Sequence, residues 1–267
     1  MESEVQLELR KYVTPEIVFG NDARMLSGRY ARNFGLRKVL VVTDPGVQAA
    51  HWPGDVLRSL EADGIEHCVF DHVTPNPREE DVAQGSALYM NEQCDGIIAI
   101  GGGSVLDCAK GIGIVSTNQL PILSFEGVDR ISLPMPPLIC VPTTGGTSAD
   151  LSQFAIFVNR PKRQKFAVIS KAVVPDVALV DPVPLTTMDP YLTACTGLDA
   201  LAHAIEAFTS NGSSPITDVH ALEGIRLISR YLIPSVHDPA NVTLRGKVMA
   251  GSMHAGLAFS NAGLGAV

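Results

Sequence analysis

Positive charge is scarce in this sequence: 20 Lys and Arg stand against 28 Asp and Glu in 267 residues, a net charge of -8. Such a balance gives the phosphate backbone of a nucleic acid no electrostatic reason to bind. Cysteine pairing signals are missing as well. The five cysteines, Cys68, Cys94, Cys108, Cys140 and Cys195, show no CxxC spacing, and an odd number fits reduced packing residues better than a disulfide framework. The opening residues "MESEVQLELRKYV" place acids where a secretory leader needs a basic start and an apolar run, so a cytoplasmic protein is expected. The glycosylation triplets at Asn211 and Asn241 then read as chance matches. No internal repeat and no low-complexity linker interrupts the chain.

Formal charge is absent from Val248 to Val267, "VMAGSMHAGLAFSNAGLGAV", which raises the question of a membrane span. The many glycines, with Ser252, His254, Ser260 and Asn261, argue instead for a buried helix followed by a close-packed turn, and no membrane partner is expected. The stretch ends without a polar tail or a helix stop signal, as an interrupted domain would.

What is present is an ordinary globular composition, 46% hydrophobic and 18% charged, in a length that suits one large domain or two ordinary ones. Short β-branched runs, "KVLVVTD" from Lys38, "HCVFDHV" from His67, "GIIAIGGGS" from Gly96, "PLICVPTT" from Pro137 and "VALVDP" from Val177, recur with amphipathic segments between the early ones. Strand, helix, strand is the pattern of a mostly parallel sheet covered by helices. From Leu185 the strand runs cease and every segment reads as helix. The expected organisation is therefore an α/β domain over residues 1–184 and an all-helical domain over residues 185–267, incomplete at its end.

Between the strand at Gly96 and the helix after it lie Gly101, Gly102, Gly103 and Ser104. Glycines there let the backbone approach a ligand, and the free N–H groups of a helix start favour an anion such as a pyrophosphate. The run is neither GxGxxG nor a P-loop, since "GGGSVLDCAK" lacks the GK[ST] ending. Asp107, in the first helical turn, is a ligand or loop contact on one reading and a helix-dipole partner on the other. Asp44 closes the strand "KVLVVTD", where an acid accepts from an adenosine ribose and repels a 2′-phosphate, or simply caps the turn before Pro45. In "VPTTGGTSAD" the hydroxyls of Thr143, Thr144 and Thr147 offer donors to phosphate or ribose, or form a Thr-rich turn.

Helical positions four apart share a face, so Asp199 and His203 in "TGLDALAHAIEAF" suit two ligands of one divalent ion. The competing reading is a hydrogen-bonded surface pair. Leu198, Leu201, Ala202 and Ile205 are expected to pack around the two and make an unpartnered charge costly. His254 is kept as a candidate third ligand, whereas His51, His67, His72, His220 and His237 are explained by surface or turn positions.

Taken in order and spacing, "GGGSVLDCAK", "VPTTGGTSAD" and "TGLDALAHAIEAF" resemble the iron-containing (group III) alcohol dehydrogenase family. The resemblance extends through "PNP" at Pro75, "RQKFAVIS" at Arg163 and "AGLAFSNAGLGAV". It implies a dinucleotide-binding domain, a helical metal-binding domain, and a cleft between them where an alcohol or aldehyde meets NAD(H). Carried over by position, Gly102, Gly103 and Ser104 match the pyrophosphate loop, and Asp44 matches an adenosine-side acid that favours NAD over NADP. Asn76, Asp107, Thr143, Thr144, Thr147 and Lys165 match further cofactor contacts. Asp199 and His203 match two of four metal ligands, and Phe259 matches the substrate pocket. In the family "SNAGLGAV" runs on into a histidine-rich helix that supplies the third ligand, so a fragment or a shortened paralogue is expected, with weak metal affinity and little activity.

The implied activity is metal-assisted hydride transfer between NAD(H) and a small alcohol or carbonyl compound, with Fe2+ as the metal and Zn2+ or another divalent ion also compatible. Two alternatives remain open. One is a related polyol dehydrogenase or dehydroquinate synthase-like lyase, against which "GGGS" rather than "GGGK" and "DALAH" speak. The other is a catalytically dead nucleotide-binding or interaction protein. A homodimer through the edge of the N-terminal strand "KYVTPEIVFG" is a further expectation.

Overall fold

The five apolar runs and the N-terminal strand segment become one sheet. The computed structural model describes residues 11–264. Strands β1 (Glu16–Phe19), β2 (Lys38–Val42), β3 (Glu66–Phe70), β4 (Gly96–Gly101), β6 (Leu138–Pro142) and β9 (Val177–Val180) align in the order β1-β9-β6-β4-β2-β3, every pairing parallel. The central strands read as unbroken apolar runs because both faces are covered. Leu40, Val42, Ile97, Ala99, Leu138 and Cys140 pack on one side with α4 (Glu79–Asn91) and α5 (Gly103–Asn118). Val39, Val41, Ile98, Ile100, Ile139 and Val141 pack on the other with α1 (Ser27–Asn33) and α3 (Pro53–Ala62). From β2 the chain moves outward to the edge strand β3, then returns to the other flank of β2 for β4. That reversal opens a crevice beyond the carboxyl ends of β2 and β4, the usual ligand position in open α/β sheets.

A second sheet was not foreseen. β7 (Phe154–Asn159) and β8 (Gln164–Ile169) form an antiparallel hairpin, with β5 (Gly127–Val128) parallel to β8. β7 alternates half-buried and buried residues, and its inner side chains Ala155 and Phe157 join the α4/α5 side of the core. The turn closes on Arg163 at φ 51.

Three helices follow: α6 (Pro190–Thr209), α7 (Pro215–His237) and α8 (Val242–Ala262). Their starts are fixed by side-chain caps: Asp189 accepts from the Leu192 N–H, Ser214 from Thr217 and Asn241 from Leu244. The buried stripe of α6 is Thr193, Gly197, Ala200, Ala204 and Ala207. Small residues there let the neighbouring helices come close; a Cβ on Gly197 would lie 2.3 Å from the Leu232 Cδ1. Several large residues consequently face out, while Leu201 packs on the helical core. Leu198 is 58% and Ile205 47% exposed, so the expected apolar packing around Asp199 and His203 is not formed by these two side chains. Among the described residues no helix is long and apolar enough to cross a membrane.

Two seams join the halves. The segment after β6 rests on α8: the Ser148 hydroxyl donates to the Ser252 carbonyl at 2.8 Å, Ser252 Oγ donates to the Gly146 carbonyl at 3.2 Å, and the Gln153 side-chain amide donates to the Ser260 carbonyl at 2.8 Å. Ahead of β1, the Val13 N–H donates to Asn261 Oδ1 at 2.7 Å and the Asn261 amide returns a bond to the Val13 carbonyl at 3.1 Å.

Candidate functional site

A cleft of about 360 Å³ lies where these parts meet, lined by Asn76, Gly103, Ser104, Asp107, Thr147 and Lys165 from the α/β half and by Asp199, His203 and Phe259 from the helices. Its floor is the start of α5. Gly102 sits at the N-cap in extended conformation, no side chain caps the helix, and no acid lies in its first turn, because the helix starts at Gly103 and Asp107 falls just beyond that turn rather than in it. The leading N–H groups are thereby left to a ligand, with the helix dipole favouring negative charge. Only glycine fits next: a Cβ on Gly103 would stand 2.4 Å from the Thr147 Oγ1. The Ser104 hydroxyl accepts from the Asn76 N–H at 3.1 Å, and Asn76 holds φ at 55, so the turn after β3 is drawn to the glycine loop. Lys165 brings an exposed ammonium from β8 to the same opening.

Asp107 is half-buried in the cleft wall, where its Oδ2 accepts the Ile156 N–H at 3.1 Å. Burial pushes its carboxyl up to about 6, against the opposing pull of Lys110, the Ile156 N–H and Lys165. It therefore ties α5 to β7 as well as facing the cleft. Lys110, one turn on, escaped the sequence reading. It is fully buried, and its Nζ donates to the carbonyls of Ser152 at 2.9 Å and Phe154 at 2.7 Å, holding the strand that forms the apolar wall. A lysine inside "VLDCAKGIGI" was the available signal, since a charge in an apolar helix needs buried partners.

Other predicted cofactor residues surround the cleft without lining it. Asp44 follows β2 and caps the short helix α2 (Pro45–Ala49): its Oδ1 accepts from the Gly46 N–H at 2.7 Å and the Val47 N–H at 2.9 Å. The turn-capping reading is thus realised, at the same carboxyl edge of the sheet as Gly102. Thr143 is buried, and its N–H donates to the Gly101 carbonyl at 3.0 Å. Thr144 lies beside Gly102, whose Cβ would be 3.2 Å from the Thr144 Cγ2.

Asp199 and His203 share a face of α6, with His203 Nε2 3.8 Å from Asp199 Oδ1. The Phe259 ring lies 4.7 Å from the imidazole between centroids and fixes its plane. His203 Nδ1 is buried without a hydrogen-bond partner, an unmet polar atom of the kind a ligand completes. The donor set, one carboxylate oxygen and one imidazole nitrogen, suits a divalent ion, and the described residues hold no group of three or more His, Cys, Asp or Glu able to bind one.

His254 does not join that pair. It faces His220, Nδ1 to Nδ1 at 2.9 Å, with Tyr12 stacked on the outer ring, so the candidate third ligand and a histidine assigned to the surface turn out to be partners. Burial lowers both imidazole pKa values, and for His254 the neighbouring His220 lowers it further. Thirty-four residues separate them, and only the packing of α7 on α8 brings them together. Cys195 also departs from expectation: it is exposed on α6 rather than packed.

Comparison with known proteins places this geometry in context. Residues 14–182 match the family model described as iron-containing alcohol dehydrogenase, and residues 193–267 match that of the Fe-containing alcohol dehydrogenase family, C-terminal. The 1,3-propanediol dehydrogenase of Klebsiella pneumoniae is 38% identical over 260 residues, which cover 96% of this chain and 67% of that protein. A crystal structure of a 1,3-propanediol oxidoreductase superposes with a TM-score of 0.94 at 37% identity, covering 97% of this chain and 68% of the other. The sulfoacetaldehyde reductase of Bifidobacterium kashiwanohense, solved in complex with NAD+, gives a TM-score of 0.89 at 30% identity over 97% of this chain and 69% of that one. The chain thus spans about two thirds of the length of the relatives it matches.

Proposed function

The chain belongs to the iron-containing alcohol dehydrogenase family, and from that premise we propose that it is an NAD(H)-dependent, metal-assisted oxidoreductase interconverting a small alcohol and its aldehyde or ketone. One observation carries the reading: an uncapped helix start, a lysine and an acid–imidazole pair, contributed by both halves, open into one cleft.

On this reading the first N–H groups of α5 and the Lys165 ammonium receive the cofactor's diphosphate. Asn76, Thr143, Thr144 and Thr147 hold the adjoining sugar and phosphate groups. Asp44, its carboxylate oriented by the Gly46 and Val47 N–H groups, accepts from the adenosine ribose and repels a 2′-phosphate, which selects NAD over NADP. Asp199 and His203 supply a carboxylate oxygen and an imidazole nitrogen to Fe2+, with Zn2+ an acceptable substitute for the same donors. When bound, the nicotinamide supplies the hydride acceptor or donor, and the divalent ion the Lewis acidity that polarises the substrate oxygen. Phe154, Ile156, Phe157, Val158 and Phe259 form an apolar wall that excludes water and orients the reacting carbon.

Titrating NADH into the protein and following nicotinamide fluorescence tests the cofactor half. Saturable binding is expected, weaker by roughly tenfold or about 1.4 kcal/mol in G103V, with NADPH binding less tightly than NADH. Alcohol-dependent NADH formation after loading with Fe2+ or Zn2+, lost in D199A and H203A, tests the metal half. Failure of the folded wild type to bind NADH sinks the proposal. A second reading, nucleotide binding without metal-assisted turnover, rests on the described residues offering no group of three or more metal donors; NADH binding with no turnover at any metal load selects it. The homodimer remains a proposal, supported by the place of β1 at the sheet edge, and sedimentation tests it.

A further inference from the structure

Cys68 and Cys94 sit 26 residues apart in sequence with their sulfurs 3.5 Å apart. The two thiols are the only pair of cysteines in mutual hydrogen-bond contact among the described residues. Cys108 and Cys140 are sealed in the core, where burial raises both thiols, and Cys195 is exposed on α6. Cys68 lies in β3 opposite Leu40, and Cys94 ends the turn between α4 and β4. Above them Lys38 pairs with Glu92 at 2.6 Å.

We propose that Cys68 and Cys94 form a reversible intramolecular disulfide, a redox-sensitive staple between the edge strand of the sheet and the α4–β4 turn. The sulfurs must close by about 1.5 Å to reach bonding distance. Both carriers can yield that much. β3 is held on one side only, by β2, and Cys94 follows Gln93, a turn residue at φ 55.

The pair is chemically unequal. Cys68 is half-buried at the sheet edge and Cys94 is buried. The hydrogen bond shared with Cys94 lowers the Cys68 pKa, Lys38 adds to it, and burial and Glu92 oppose it; the Cys94 thiol is raised by the same contact and by burial. Cys68, the more accessible of the two at the sheet edge, is the attacking thiolate and Cys94 the resolving thiol. With hydrogen peroxide as oxidant, Cys68 Sγ attacks one peroxide oxygen. An S–O bond forms, the O–O bond breaks, and hydroxide leaves and is protonated, giving the sulfenic acid. Cys94 Sγ then attacks Cys68 Sγ, the S–S bond forms, and the S–O bond breaks with departure of water carrying the Cys94 proton. Two electrons pass from the two sulfurs to the peroxide, and two waters are released.

The staple joins the middle of β3 to the turn ahead of the amino end of β4, whereas the cleft lies beyond the carboxyl end of β4. Its chemistry is therefore separable from that of the proposed active site.

Reduced, folded protein is exposed to one equivalent of hydrogen peroxide and followed by intact mass, thiol titration and non-reducing peptide mapping. The expected result is a loss of two hydrogens, a fall from five free thiols to three, a Cys68–Cys94 cross-linked peptide, and full reversal by a dithiol reductant. C94S should instead accumulate a Cys68 sulfenic acid trapped by a cyclic dione, and C68S should show neither product. Wild-type protein that gains oxygen without cross-linking, or that cross-links through Cys195, overturns the proposal.

Discussion

Gly256 and Gly246 both sit in the interior of α8, and the same replacement by alanine should move stability in opposite directions at the two positions. At Gly256 a Cβ would lie 2.4 Å from the Ser148 Cβ, 2.7 Å from its Oγ and 3.3 Å from the Leu151 Cδ1. Ser148 has little freedom to retreat. It holds φ at 47, and its hydroxyl is fixed by the Ser252 carbonyl at 2.8 Å and Ser252 Oγ at 3.2 Å. Overpacking of this kind costs about 1–3 kcal/mol, against a helix-propensity gain of about 0.5–1 kcal/mol for alanine over glycine. A 2.4 Å approach to a side chain that cannot retreat places the cost in the upper part of that range, about 2–3 kcal/mol. Even against a full propensity gain of about 1 kcal/mol, the net is a loss of about 1–2 kcal/mol. At Gly246 the nearest atom to a new Cβ is the Pro182 Cβ at 3.6 Å, an ordinary contact, so the propensity gain acts alone.

At about 2–4 °C per kcal/mol for a chain of this size, G256A should melt roughly 2–8 °C below the wild type and G246A about 1–4 °C above it. Thermal unfolding followed by circular dichroism reads both. NADH titration adds an independent arm, because Gly256 supports the segment carrying Thr147, so G256A should weaken binding and G246A should not. Two glycines that shift the melting temperature in the same direction would refute the reasoning.

Phe259 is buried against His203, so F259L should keep most of the stability yet loosen the imidazole, lowering divalent-ion affinity several-fold in a metal titration; unchanged affinity would remove Phe259 from the site. Burial holds the Asp150 carboxyl up at about 6 from an unfolded value of 3.8, so its favourable contribution is complete below pH 3.8 and is lost as pH rises through 6. D150N should therefore gain on the wild type by up to roughly 3 kcal/mol between pH 4 and pH 8, an upper bound read from paired urea denaturations, and a pH-independent difference would contradict it. The His220–His254 pair has the opposite sign. Both folded pKa values are lowered, so its stability is present above about pH 6.5 and lost as pH falls below it, and H254L should flatten that acid limb in the same denaturations.

Strands buried on both faces were legible because β2, β4, β6 and β9 are short, continuous and apolar, and helices of period 3.6 were legible from spacing. The β7–β8 hairpin was hidden by its own turn, where "NRPKRQK" concentrates charge and obscures the alternation of "FAIFVN" on one side and "QKFAVI" on the other. In the site, sharing of a helix face by Asp199 and His203 follows from four-residue spacing alone. Their surroundings did not follow, because burial in α6 is governed by how closely α7 and α8 approach. Close approach selects alanine and glycine for the inside and turns Leu198 and Ile205 outward, inverting the usual equation of size with burial. The His220–His254 contact depends on the register of one helix on another, which no local pattern encodes.

That register gives α8 several tasks along a single helix. Ser252 and Ser260 hold the segment after β6, Phe259 covers His203, and Asn261 clasps Val13. A hinge that opened the cleft by parting the halves would break the six bonds Ser148–Ser252, Ser252–Gly146, the two from Gln153 to Ser260 and the two between Val13 and Asn261. At about 1 kcal/mol each, that costs about 6 kcal/mol before any apolar surface is exposed, leaving on the order of one open molecule in ten thousand. Opening of this kind is therefore rare, and the two halves stay joined in nearly all molecules. The glycine loop and the acid–imidazole pair consequently reach their relative positions when the chain folds, and binding does not have to supply that order.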